Sequence, residues 1–161
     1  MTSDVPRLLV AVFASPVSEV LVRWGAELGF RTVLVEPDPG RVPAGTPDLA
    51  VGSFAELDDE LAAGTADVVV TDHHRDELGE VLRDALAGPA RWVGVMGNPR
   101  HEGPHVAALT ALGVPAEDIA RVHRPIGLDI GSRQPAEIAL STLAGLLADR
   151  HGRSGGFAHG G

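Results

Sequence analysis

The sequence predicts an α/β fold of three layers, a mostly parallel sheet with helices on both faces. Two observations carry that expectation. Short, continuously apolar runs alternate along the chain with segments whose apolar residues recur at helical spacing. Runs that are apolar at every position, not at every second one, belong to strands buried on both sides, as in parallel sheets.

Each element can be read in turn. RLLVAVFA, from Arg7 to Ala14, is the first strand. In SPVSEVLVRWGAELG the residues Val17, Val20, Leu21, Trp24 and Leu28 fall on one helical face, Pro16 stands near the start and Gly29 at the end. RTVLVE (Arg31 to Glu36) is a second strand, and LAV, after a proline-rich loop, a short third. Ser53 followed by Glu56 is a capping-box pattern opening FAELDDELAA. ADVVVT (Ala66 to Thr71) and RWVGVMG (Arg91 to Gly97) are the fourth and fifth strands. Helices are expected over Arg75 to Leu86, over Pro104 to Gly113, briefly in PAEDIARV, and from Pro135 to about Arg150. Residues 1–150 are thus one domain, and the glycine-rich tail 151–161 is expected to be disordered.

Composition narrows the function classes. The formal net charge of -9, with no basic cluster, argues against a nucleic-acid surface. All 13 basic residues are arginine, which reads as compositional bias. The chain has no cysteine, which removes disulfides, thiolate metal sites and cysteine nucleophiles. No basic segment with an apolar core opens the chain and no apolar run approaches a membrane span, so a cytoplasmic protein without a membrane partner is expected.

In a parallel α/β sheet, ligands bind at the carboxyl ends of the strands. Four segments compete for that position: Ala14 to Ser18, Glu36 to Asp38, Thr71 to Arg75 and Gly97 to Arg100. A Rossmann-like protein that binds a dinucleotide carries G-x-G-x-x-G in the first turn. Here the turn reads FASPVSEV, without glycine and with a proline that has no N–H, so NAD(P) is not the expected ligand. Glu36, with Asp38 beside it, occupies the position of a ribose-binding acid; the alternative is a solvated loop carboxylate. In TDHH, Thr71 or Asp72 could cap a following helix, while His73 or His74 could donate to a ligand or transfer a proton. The spacing matches no recognised zinc motif, and no metal site is expected. Gly97 allows close backbone approach and Arg100 could meet a phosphate; a glycine-proline turn with a solvated arginine is the alternative. His101 and His105 read as surface histidines, and no Ser-His-Asp arrangement is present. PIGLDIG, in which Gly127 and Gly131 bracket Asp129, leads into the last helix.

Taken together, VVVTDHHRDE, WVGVMGNPR and RVHRPIGLDIGSRQPAEIALSTLAGLL resemble the C-terminal Rossmann-like domain of the XdhC/CoxI family, accessory factors for xanthine and carbon monoxide dehydrogenases. The family pattern runs approximately T-H-D-H, Y-V-G-x-x-G-S and P-I-G-L-D-I-G-x-x-x-P-x-E-I-A-x-S-I, and its last block matches from Pro125 through Ser141. There are departures. A glycine-containing first turn has become Ala14-Ser15-Pro16-Val17, the middle residues of T-H-D-H are exchanged, and the serine after the fifth-strand glycine is Asn98. The family's N-terminal domain, with its glycine-glycine-cysteine motif, is not in this sequence.

The resemblance implies a maturation factor that binds molybdenum cofactor (molybdopterin) and helps deliver it to a molybdenum hydroxylase. The candidate cofactor-binding residues are Glu36, Asp38 and Arg100, from their places past the strand ends, and Thr71, Asp72, His73, His74, Gly97, Asn98, Gly127, Asp129 and Gly131, from the resembling motifs; the resemblance also implies a non-catalytic, chaperone-like role. Implied partners are the client hydroxylase, a separate chain of the family's N-terminal type and a sulfurtransferase, with a homodimer as a further arrangement. Two other readings stay open: a nucleotide-dependent oxidoreductase on the same scaffold, and a degenerate interaction module without ligand.

Overall fold

The computed structural model describes residues 5–44, 49–97 and 103–157. Six strands form one sheet in the order β3-β2-β1-β4-β5-β6, and every neighbouring pair is parallel. They are β1 (Arg7–Val12), β2 (Arg31–Val35), β3 (Leu49–Val51), β4 (Thr65–Val70), β5 (Trp92–Val95) and β6 (Val122–His123). The helices are α1 (Pro16–Glu27), α2 (Asp58–Ala63), α3 (Leu78–Ala87), α4 (Pro104–Ala111), α5 (Ala116–Ile119) and α6 (Pro135–Arg150). The doubly wound order reverses between β1 and β4, which opens the crevice at their carboxyl ends.

Period two along a strand explains the uniformly apolar runs. In β1, Leu8, Val10 and Val12 enter one core with Leu82 of α3 and Leu109 of α4. Leu9 points the other way, into a second core with Leu21 of α1 and Leu143 and Leu146 of α6. Both faces are dry, so neither set of positions tolerates polar residues.

Two differences from the sequence reading concern boundaries. The helix expected from Arg75 begins at Leu78, because Arg75 is drawn into an ion pair and residues 71–77 form a loop. The segment after α5 contains β6, paired to β5 through Val93–Val122 and Gly94–His123; two residues carry too short an apolar signal to read as a strand. The Ser53–Glu56 box forms as expected, over a 3₁₀ turn (Phe54–Leu57) that precedes α2. At the other end of the chain, the Arg153 amide donates to the Ala148 carbonyl (2.8 Å), with Gly152 at φ 65°, a left-handed cap that ends α6.

At the amino end of the sheet, Asp67 of β4 is fully buried. Arg91 donates to its Oδ1 (2.7 Å) and Arg150, on the last turn of α6, to its Oδ2 (2.8 Å). Arg150 also donates to the Thr65 carbonyl (3.1 Å), and its guanidinium lies over the Phe30 ring. A buried carboxylate needs partners on this scale, and here they clamp the end of α6 to the middle of the sheet.

Candidate functional site

The crevice is laid out by backbone ladders that run one residue past the strands. Phe13 N–H donates to Val35 O, Glu36 to Val51 O, Thr71 to Val12 O and Met96 to Val70 O, at 2.8 to 3.1 Å. Phe13, Glu36, Thr71 and Met96 therefore stand side by side at the carboxyl edge.

Glu36 turns inward. It is 1% exposed, and each of its oxygens accepts two hydrogen bonds. Oε1 takes the Ala14 amide (3.0 Å) and Arg75 Nη1 (2.9 Å); Oε2 takes the Asp38 amide (2.9 Å) and Arg75 Nη2 (2.7 Å). Burial alone would raise the Glu36 carboxyl, but the Arg75 fork and the two amides outweigh it and hold it down to about 2. Arg75 is pushed up by the same bonds to Glu36 and by a 2.7 Å bond to Glu77, against the effect of its own burial. Its guanidinium also lies over the Phe13 ring, 4.4 Å from the centroid. With four bonds on two oxygens, Glu36 has no acceptor position left for a ribose hydroxyl. The sequence-based role for Glu36 is thereby corrected: it is a buried strut.

The first turn is closed in the same way. Ser15 caps α1: its Oγ accepts the Ser18 amide (3.1 Å), and Ser18 Oγ accepts the Ser15 amide (2.8 Å). Thr71 Oγ1 donates to the carbonyls of Val12 (2.9 Å) and Phe13 (3.0 Å), so the 2.9 Å contact between Ser15 Oγ and Thr71 Oγ1 has serine as donor. Phe13 has φ 74°, the left-handed region where glycine is the easy residue. Its ring is fully buried, and packing with the Arg75 contact offsets the backbone cost.

The segment 71–74 differs from the helix cap read from sequence. Because α3 starts at Leu78, neither Thr71 nor Asp72 caps it. Asp72 Oδ1 accepts the His74 amide (2.8 Å) in a local turn, and His73 Nδ1 lies 3.0 Å from the Met96 carbonyl of the next strand. The two imidazoles adjoin, with ring centroids 4.0 Å apart. Thr71, Asp72 and His73 are half-buried and His74 is exposed.

The other predicted residues scatter. Asp38 is an exposed turn residue that accepts the Gly40 amide (2.9 Å). Gly97 stands beside Met96 at the end of β5, and a Cβ there would collide with the Arg124 guanidinium. Asn98, Arg100 and His101 lie outside the described residues. His105, read as a surface residue, is 7% exposed, and its Nδ1 is buried without a hydrogen-bond partner among the described residues. Burial, and then the nearby Arg124 charge, lower its pKa, which keeps the ring neutral.

The opening of the PIGLDIG loop is structural. Gly127 (φ 90°) sits so close to α6 that a Cβ would collide with Ser141, and the Leu128 amide donates to the Ser141 carbonyl (3.0 Å). Asp129, Ile130 and Gly131 are exposed beyond it, and Asp129 makes no hydrogen bond or ion pair among the described residues. The structure joins Thr71–His74 to the ends of β1 and β5, whereas no hydrogen bond or ion pair among the described residues joins Asp129 to them. Sequence reasoning missed Ser15 and Arg75. Arg75, next to TDHH and followed by two acids, was the available signal for an ion pair; nothing in the sequence marks Phe13 as left-handed.

The fold and crevice define a doubly wound domain of the dinucleotide-binding type whose first turn is closed from within. The family model for the XdhC Rossmann domain matches residues 9–146, and the chain belongs to that family. It is 30% identical over 158 residues to the uncharacterized protein YqeB of Escherichia coli K12, covering 94% of this chain and 29% of that protein. A solved structure described as a xanthine dehydrogenase from Bacillus halodurans superposes with a TM-score of 0.69 at 23% identity, over 91% of this chain and 45% of the other. The chain thus spans less than half the length of either relative. No helix among the described residues is long and apolar enough to cross a membrane, and no group of three or more His, Asp or Glu side chains among them could hold a metal ion.

Proposed function

We propose that this chain is the Rossmann-type domain of an accessory factor for a molybdenum hydroxylase of the xanthine or carbon monoxide dehydrogenase type. In this reading molybdenum cofactor is cargo: it binds at the carboxyl edge of the sheet and passes to the client enzyme. One observation carries the choice of ligand. Within a family of this fold, both devices that hold a dinucleotide are spent internally, the first-turn amides on Ser18 and Glu36 and the β2 carboxylate on Arg75. The groups left for a ligand in this reading are those of Asp72–His74 and Gly97, with Asp129 on the loop beyond. Having no cysteine, the chain holds no persulfide, and sulfur for the cofactor comes from a separate sulfurtransferase.

Calorimetric titration with molybdenum cofactor, NADP and GTP tests this. Saturable binding of the cofactor, weakened by His73→Ala or Asp129→Ala, is the expected result. Tight NADP binding with turnover would replace the proposal with an oxidoreductase. Absence of all binding, together with co-purification of a dehydrogenase, would replace it with an interaction module.

A further inference from the structure

The Met96 carbonyl can only accept a hydrogen bond, so the 3.0 Å contact requires the proton of His73 to be on Nδ1. In the neutral ring Nε2 then carries the lone pair, and it has no partner among the described residues. Beside it, Asp72 uses Oδ1 on the His74 amide, while Oδ2 makes no bond among the described residues. The nearest arginine in sequence, Arg75, is committed to Glu36 and Glu77. The half-buried loop therefore holds two acceptor atoms, His73 Nε2 and Asp72 Oδ2, that are unpaired among the described residues.

We propose that His73 Nε2 and the Asp72 carboxylate form an acceptor edge that reads the N–H groups of a 2-amino-4-oxo-pyrimidine ring, the edge shared by pterins and guanine. Such an edge offers adjacent ring N–H and amino donors, which a carboxylate and an unprotonated imidazole nitrogen accept. A phosphate, which brings only acceptors, is a poor fit. A metal ion fits poorly too, since no group of three or more His, Asp or Glu side chains among the described residues could hold one. The assignment rests on the proposed cofactor-binding role for its choice of pterin over guanine, but the acceptor chemistry stands on the hydrogen bond to Met96.

The tautomer is read directly from the ¹⁵N shifts of His73 in a long-range ¹H–¹⁵N spectrum of the whole chain. The expected state is Nδ1–H with unprotonated Nε2; an Nε2–H tautomer overturns the inference. His73→Asn keeps a donor where Nδ1 stands and removes the Nε2 acceptor. It should retain the wild-type melting temperature yet bind neopterin, guanosine and molybdenum cofactor at least about tenfold more weakly. Asp72→Asn should weaken the same three ligands, and adenosine, with a different edge, should not compete. Wild-type affinity in His73→Asn overturns the inference even if the cofactor binds well, in which case the carrier reading survives alone. Binding of guanosine or neopterin lost in His73→Asn, with no affinity for molybdenum cofactor, sustains the acceptor edge and defeats the carrier reading.

Discussion

The carboxyl ends of β1 and β2 and those of β4 and β5 face one crevice but are finished in opposite ways. On the β1–β2 side the groups that would meet a dinucleotide are turned inward: two first-turn amides go to Glu36 and Ser18, and the Glu36 carboxylate goes to Arg75. On the β4–β5 side Asp72 accepts the His74 amide and His73 meets the Met96 carbonyl, and the second polar atom of each side chain makes no bond among the described residues. The half of the crevice that holds a pyrophosphate and ribose in dinucleotide-binding relatives of this topology is here a piece of core. A doubly wound fold thus keeps the layout of its crevice when the glycine fingerprint is gone, while the first-turn amides and the Glu36 carboxylate are bonded within the chain.

Breaking the closed half should cost most. Glu36→Ala leaves Arg75 buried beside the Phe13 ring with only Glu77 as counter-charge, and should destabilise by about 3–5 kcal/mol in chemical denaturation. Acid probes the same strut without a mutation. The Glu36 carboxyl lies at about 2 in the folded chain against an ordinary 4.5. Its contribution is therefore complete above pH 4.5 and is lost as pH falls toward 2. The loss should approach about 3 kcal/mol across that window, and Glu36→Gln should flatten the dependence. Thr71→Val is the smaller perturbation: it removes the hydroxyl that joins β4 to the Val12 and Phe13 carbonyls and to Ser15. A loss of about 1 kcal/mol in thermal unfolding is expected. Were Thr71→Val to cost as much as Glu36→Ala, the seam between the two halves would be part of the closed one, and the comparison would need redrawing.

Much of the architecture was legible because it rests on patterns local to the sequence. Leu8 through Val12 announce a strand buried on both faces, and Pro135 with Glu137 announces the start of α6, where Glu137 accepts the Gln134 amide. The absence of glycine from the first turn was legible, but not that its Ala14 and Ser15 amides bond to Glu36 and Ser18. What could not be read was the direction in which a side chain turns. Glu36 stands where a ribose-binding acid would, and only the arrival of Arg75 from 39 residues away makes it a core residue. His105 looked solvated because nothing local shows that it is buried or that Arg124 lies near it. PIGLDIG was legible as a signature but not as two parts: Gly127 is fixed by contact with α6, whereas Asp129 faces solvent.

Phe13 carries a consequence for what it would take to open the turn. Its left-handed backbone is the conformation that a glycine would find easy, so the turn has a glycine-like shape beneath a large side chain. Restoring glycine at 13 alone would remove the ring that roofs Arg75, with no gain in donors, because Glu36 would still hold the Ala14 amide and Pro16 has none to offer. Opening this turn to a ligand therefore calls for changes at Phe13, Pro16 and Glu36 together, because the ring, the missing donor and the carboxylate keep it closed independently of one another. The turn is a latch with three separate catches, and releasing one leaves the other two in place.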